Sequence, residues 1–204
     1  MHSRKMIFIR CRKTASTSLE IELSKHAERG DVVTAVSPRD EQLRAEHGGK
    51  IPDADAHPFY NHASAAEIRK FVSPEIWDSY FKFCIDRNPW DKVVSMFYHR
   101  RARPTAARNF SDFISSGEFK DARNFPLYGI ASSVIVDHVG RYENLDEELE
   151  KIFSRIGLSY SGLSCRAKSQ FRERKDYRDL YDATSIKAVA NAFAEEISLH
   201  AYQF

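Results

Sequence analysis

Apolar residues fall into a few short blocks along the chain, and their spacing changes from block to block. Met6 to Cys11 (MIFIRC) is an apolar run of strand length. Tyr80 to Ile85 is a second, almost continuous apolar and aromatic run, as expected of a central parallel strand covered on both faces. Between and after these runs the period becomes helical. The stretch from Thr17 to about Arg29 reads as a helix with Ser16 or Thr17 as its N-cap. Ala63 to Phe71 has helical composition. Asn88-Pro89 matches a cap followed by proline at the first helical position, and Trp90, Val93, Val94, Phe97 and Tyr98 then repeat on one helical face. Leu145, Leu149, Ile152, Phe153 and Ile156 form another stripe, opened by a capping box at Asn144 and Glu147 and closed by Gly157. Ile186, Val189, Ala190, Phe193 and Ile197 predict one C-terminal helix. VVTAV (32 to 36) and Val134 to Tyr142 read as further strands, and periodicity is weak through residues 100 to 132, with a trace around Phe110 to Ile114.

Strands alternating with helices predict an α/β fold, a single domain over residues 1–204 with a mainly parallel central sheet flanked by helices. The length suits one domain with a proper core. A hydrophobic fraction of 42% and a charged fraction of 29% are those of a globular chain. The net charge of +2 is too small for a surface that grips nucleic acid throughout, so affinity for anions must come from local clusters. Cys11, Cys84 and Cys165 lie far apart without metal-ligand spacing; Cys11 and Cys84 fall inside apolar runs and read as buried thiols. No metal is expected. The apolar run at the N-terminus is too short for a signal or membrane segment, which predicts a cytoplasmic protein without membrane insertion. The residues assign no oligomeric state.

Two strand-to-helix junctions carry the candidate chemistry, and in parallel sheets ligands sit beyond the carboxyl ends of the strands. The first is RKTASTSL (12 to 19). A tight turn into a helix aims backbone N–H groups at one point, the helix dipole favours an anion there, and Thr14, Thr17 and Ser18 add hydroxyls beside the mobile charge of Lys13. The alternative is a capped helix with a solvated lysine. The second is RNPWDKVVS (87 to 95), where Arg87 can grip a phosphate bidentately and Ser95 can add a hydroxyl from the helix. Here the alternative makes Arg87 a partner for Asp86 or Asp91 and Ser95 a packing residue. Two such sites suggest a ligand carrying phosphate at two separated positions.

In this order the motifs resemble those of the sulfotransferases that use 3′-phosphoadenosine 5′-phosphosulfate (PAPS), in particular the carbohydrate-type and bacterial branch. RKTASTS (12 to 18) is similar to the family's PKTAGTS, and RNPWDKVVSMFY (87 to 98) to its downstream arginine–proline–serine helix. RYENL (141 to 145) and the tail from Tyr177 onward resemble two further segments. Arg12 stands where proline is usual and Ser16 where glycine is usual; serine would clash there if the turn needs a positive φ.

The resemblance implies sulfuryl transfer from PAPS to a hydroxyl of a carbohydrate or small-molecule acceptor. Thr14, Ala15, Ser16, Thr17 and Ser18 would hold the 5′-phosphosulfate and Lys13 the oxygen bridging phosphorus and sulfur. Arg87 and Ser95 would hold the 3′-phosphate, Tyr142 would lie near the adenine, and the basic run Arg166 to Arg178 would close over the 3′-phosphate side. His62 would be the general base, with His57 the runner-up and His99 a further candidate. Residues 38 to 60 and 100 to 132 are long and irregular, which makes them the candidate acceptor-side segments. The patch of Arg100, Arg101, Arg103 and Arg108 reads by default as a solvated helix end and alternatively as a surface for an anionic acceptor. Phe59, Tyr60, Phe110, Phe125 and Tyr128 read as core rings or as a stacking surface. A nucleotide kinase is the competing enzyme, although the chain lacks the glycine–lysine pair of a Walker loop; a non-catalytic nucleotide-binding protein is the competing binder.

Overall fold

A computed structural model of the chain describes residues 1–51, 57–101, 107, 109–165 and 176–204. Among the described residues the main sheet has three parallel strands, β1 (Met6–Phe8), β2 (Phe81–Asp86) and β5 (His138–Arg141), in the order β1-β2-β5. Met6 faces Phe81 across the first pair, and Phe83 faces His138 across the second. Pairing runs one residue past β1, where the Ile9 N–H donates to the Phe83 carbonyl at 2.8 Å. A short hairpin, β3 (Gly129–Ile130) with β4 (Ser133–Val134), stands apart. No helix among the described residues is long and apolar enough to cross a membrane.

Both faces of β2 are buried, which is why its sequence is almost uninterrupted in apolar residues. On one face α1 (Ser16–Ser24) and α8 (Leu145–Arg155) cover Met6, Phe83 and Ile85 with Leu19, Leu23, Leu149, Ile152 and Phe153. On the other face Ile9, Cys11 and Cys84 meet Ala65 from α3 (Ala65–Phe71), Trp77 from α4 (Pro74–Ser79), and Phe125, Leu127 and Tyr128 from α7 (Phe125–Tyr128). A third cluster joins α5 (Pro89–Arg100), α6 (Phe110–Ser115), α9 (Ala183–Ala192) and the start of α10 (Ala194–His200) around Phe97, Phe113 and Phe193. Cys11 and Cys84 are buried free thiols, and burial raises the pKa of both.

Several expected elements differ. Residues 32 to 36 form no strand. Side chains occupy the polar groups that a ladder would use: the Val36 N–H donates to Glu41 Oε1 at 2.7 Å, and the Thr34 carbonyl accepts from Arg44 at 3.2 Å. The run from Val134 to Tyr142 is split. Val134 belongs to the hairpin, β5 begins at His138, and Asp137 makes the junction by accepting the Lys82 N–H at 2.7 Å. Helix α1 stops at Ser24, not near Arg29, because the next residues tighten into three-residue turns such as Ala27 N–H to the Ser24 carbonyl at 3.2 Å. Asn144 makes no capping box; a 3₁₀ turn (Tyr142–Asn144) leads into α8 instead. The C-terminal helix breaks at Phe193, whose ring is fully buried.

Candidate active site

The carboxyl ends of β1 and β2 lie side by side, and the two anticipated junctions meet there. From Ile9 the chain turns through Lys13 (φ 62°) and Ala15 (φ 56°), both left-handed, before α1 begins at Ser16. Positive φ therefore falls on Lys13 and Ala15, and Ser16 takes the first helical position without strain. The expected N-cap at Ser16 or Thr17 is replaced by Ala15, which has no side-chain oxygen with which to cap. Most other helices here begin with a capping oxygen: Ser37 for α2 (Pro38–Glu46), Ser64 for α3, Ser73 for α4, Asn88 for α5 and Asp182 for α9. The first turn of α1 thus keeps the chemistry of an anion site.

The loop hydroxyls are buried at Thr14, Ser16, Thr17 and Ser18. Thr14 donates its hydroxyl proton to the Cys11 carbonyl at 3.2 Å and so closes the turn. Thr17 accepts from Arg10 Nη2 at 3.3 Å. Arg10 in turn pairs with Glu20, which also holds Arg44 at 3.2 Å, making a buried ionic chain beneath the loop. Burial pulls the Arg10 pKa down and pushes that of Glu20 up, each opposed by the other's charge.

Arg87 follows β2 directly and is buried. Its Nη1 donates to the Lys13 carbonyl at 3.2 Å, across 74 residues of sequence. Its Nε and Nη2 donate to Asp91 Oδ2 at 2.8 and 2.5 Å. The alternative pairing with Asp91 is therefore real, and it coexists with the contact to the loop. A guanidinium has five N–H groups, so one on each terminal nitrogen is left for a ligand. The guanidinium also stacks over the Tyr142 ring at 4.2 Å, which brings the anticipated adenine-side residue to the same place. Ser95 is half-buried one helical turn beyond Asp91 on the same face of α5.

His62 (φ 65°) sits at the end of β1, where Nδ1 lies 2.7 Å from the Arg10 carbonyl. A carbonyl only accepts, so the contact requires the proton on Nδ1 and makes Nε2 the basic nitrogen of the neutral ring. The residue lines a cavity of about 90 Å³ with Arg10, Glu20, Thr34, Phe8 and Phe59. His57 stacks loosely on Phe59, with centroids 5.8 Å apart. His99 lies in the last turn of α5, about 15 Å along the helix from the Arg87 end. The structure thus gathers Lys13 to Ser18, Arg87, Tyr142 and His62 at adjoining strand ends and leaves His99 remote.

On the acceptor side the default readings hold for several residues. Arg100 is tied to Glu118 at 2.8 Å and Asp121 at 2.5 Å, and Arg101 lies over Phe97 at 5.8 Å. Arg103, Arg108 and residues 166 to 175 of the basic run lie outside the described residues; Arg178 pairs with Asp176 at 3.3 Å. Phe110, Phe125 and Tyr128 are core residues, which leaves Phe59 and Tyr60 of the proposed aromatic surface outside the core.

A sequence model of the sulfotransferase family matches residues 2–203. The chain belongs to the sulfotransferase family. An uncharacterized protein of Archaeoglobus fulgidus is 42% identical over 95 residues, covering 45% of this chain and 79% of that protein. Among solved structures, mouse sulfotransferase SULT7A1 complexed with PAP superposes with a TM-score of 0.54 at 14% identity, over 98% of this chain and 90% of that one. At that identity the likeness is one of fold, and it agrees with the parallel α/β architecture expected of this sulfotransferase.

Sequence reasoning named Asp86 only as a possible partner of Arg87 and missed the buried polar group it belongs to. Asp86, Lys92, Asn124 and Glu196 are wholly buried and bonded to one another. Their signal was present: Lys92 and Glu196 interrupt apolar helical faces, next to Val93 and Ile197.

Proposed function

We propose that this sulfotransferase moves a sulfuryl group from PAPS to a hydroxyl of a carbohydrate or small-molecule acceptor. The observation that supports the reading is the Arg87 guanidinium bonded to the Lys13 carbonyl at 3.2 Å, which brings the two strand-to-helix junctions side by side. The donor set fits a ligand charged at both ends: an uncapped helix start with a lysine on one side, an arginine with two spare N–H groups on the other. PAPS supplies the sulfuryl group and departs as 3′,5′-bisphosphate (PAP).

The first turn of α1, with residues Thr14 to Ser18, holds the 5′ end. Lys13 neutralises charge as it develops on the leaving oxygen, which is where electrostatic stabilisation counts most. Arg87 holds the 3′-phosphate with Ser95 beside it, and Tyr142, stacked on Arg87, flanks the adenine. His62 takes the acceptor proton on Nε2, while the Arg10 carbonyl keeps its Nδ1 proton in place and orients the ring. A left-handed histidine costs about 1–2 kcal/mol of backbone strain, an expense that a fixed ring orientation makes intelligible. The acceptor enters the cavity beside His62.

Calorimetry with PAP, together with transfer of labelled sulfate from PAPS to a panel of sugars and simple alcohols, tests the reading. PAP should bind, and His62→Ala should retain that affinity while losing turnover by about 10²–10⁴-fold. A wild-type chain with no affinity for PAP rejects the function. Unchanged turnover in His62→Ala rejects the base.

A further inference from the structure

Asp86 ends β2 and has no exposed surface. Its Oδ1 accepts from the Arg87 N–H at 2.8 Å, the Lys92 ammonium at 2.7 Å and Asn124 Nδ2 at 2.9 Å. Its Oδ2 accepts the Tyr128 hydroxyl at 2.7 Å. Four donors on one buried carboxylate leave it saturated and fixed.

Asn124 is the member that faces the loop. Its Oδ1 accepts the Arg12 N–H at 2.8 Å, and its Nδ2 donates to the Arg12 carbonyl at 3.0 Å as well as to Asp86. One carboxamide therefore takes both polar groups of a single backbone residue. The reversed amide would turn its oxygen toward the Asp86 carboxylate and the Arg12 carbonyl, so the orientation is determined by its neighbours. Glu196 holds the Asn124 backbone from behind. Its Oε1 accepts the N–H groups of Asn124 and of Phe125, the latter at 2.8 Å, and its Oε2 accepts Lys92 at 2.9 Å.

We propose that Asn124 is a positioning residue that sets the spacing between the two phosphate cradles. One arm grips Arg12, the residue before Lys13; the other grips Asp86, the residue before Arg87. The inference rests on the bisphosphate reading given under Proposed function. It also gives a reason for the departure from the family motif at position 12. Proline, the usual residue there, has no N–H to give to Asn124 Oδ1, whereas arginine has one. Position 12 and position 124 thus act as a pair. A ligand with phosphates at both ends gains from a fixed spacing; a ligand with one phosphate does not.

The test compares PAP with adenosine 5′-monophosphate by calorimetry in the intact chain. Asn124→Ala and Arg12→Pro should each weaken PAP about ten-fold, a coupling of ordinary size for directly bonded residues, and weaken the monophosphate less than about three-fold. Arg12→Ala keeps the N–H and should cost PAP less than about three-fold. The double variant should be no worse than Asn124→Ala within about two-fold, because both changes remove the same bond. Arg12→Pro leaves the carboxamide seated on Asp86, so it decides the matter if Asn124→Ala does not fold. Equal losses on both ligands, or an unchanged ratio in Arg12→Pro, overturn the positioning role. A wild type that binds no PAP fails the bisphosphate reading and takes the spacing claim with it. Hydrogen exchange at the Arg12 amide, slow in wild type and fast in Asn124→Ala, then reports separately whether the clamp exists.

Discussion

The ends of β1 and β2 look alike in sequence: a buried strand, a cation, then a helix. They are built on different chemistry. After β1 the chain takes two left-handed residues and enters α1 through an alanine that cannot cap, so on the proposed function ligand contacts draw mainly on backbone amides. After β2 the Asn88 side chain caps the Trp90 N–H at 3.1 Å and Pro89 fills the first helical position, so that helix start is closed and, on the proposed function, binding falls to a side chain, Arg87. Backbone binding tolerates side-chain replacement but not a change of φ. Side-chain binding has the opposite sensitivity.

Arg87→Ala gives the largest expected contrast. Two charge-assisted hydrogen bonds are worth about 3 kcal/mol together, so PAP affinity should fall about 100-fold while adenosine 5′-monophosphate loses only a few-fold. Arg87→Lys should recover little, because an ammonium cannot hold Asp91, the loop carbonyl and a phosphate together. Equal losses on the two nucleotides, measured by calorimetry, would break the division of labour between the strand ends.

At β1 the corresponding change is one of conformation. Ala15→Gly relieves a left-handed alanine by about 1 kcal/mol, which should raise the melting temperature by about 2–4 °C in a chain of this size. Ala15→Val places a branched side chain in the same region and should lower the melting temperature by at least as much. If valine were as stable as glycine, the left-handed turn at Ala15 would be wrong.

The smallest effect concerns the segment that carries His62. Glu67 closes the capping box of α3, and hydrogen bonds from the Ser64 hydroxyl, the Tyr60 hydroxyl and the Ser64 N–H hold its pKa down to about 2, from 4.5. A depressed carboxylate contributes stability that is fully present above its unfolded pKa of about 4.5 and is lost as the pH falls toward 2. Melting curves should therefore drop more for wild type than for Glu67→Gln between pH 5 and 2. The difference should be slight, because the group is only partly buried and solvent screens it. Parallel curves would detach this contact from the acid response.

The parallel sheet and the two loop motifs were legible because each is a local pattern. An uninterrupted run such as Tyr80 to Ile85 can be satisfied only by burial on both faces, and Asn88-Pro89 announces its own helix. Where side chains compete for backbone groups, local pattern misled. Residues 32 to 36 have strand composition, yet Glu41 and Arg44 take the polar groups that a neighbouring strand would have used. The loop motif marks the position of a strand-to-helix turn but not its conformation: positive φ falls on Lys13 and Ala15, not on Ser16, where the family motif has glycine. Asn124 was illegible because its partners lie at Arg12, Asp86 and Glu196, and no window of sequence contains them together. Glu196 and Lys92 carried a readable hint, since a charge on an apolar helical face must find a countercharge.

That remoteness bears on how the molecule is made. Lys92 meets Glu196 across 104 residues, and the Asn124 backbone meets the same carboxylate across 72. Synthesis runs from the N-terminus, so the turn at residues 12 to 18 leaves the ribosome well before Glu196, on which its final support depends. Until residue 196 emerges, Asp86, Lys92 and Asn124 are a charged set without closure. Such long-range dependence slows folding, and it delays completion of the support beneath the first loop until the residues around Glu196 have been made.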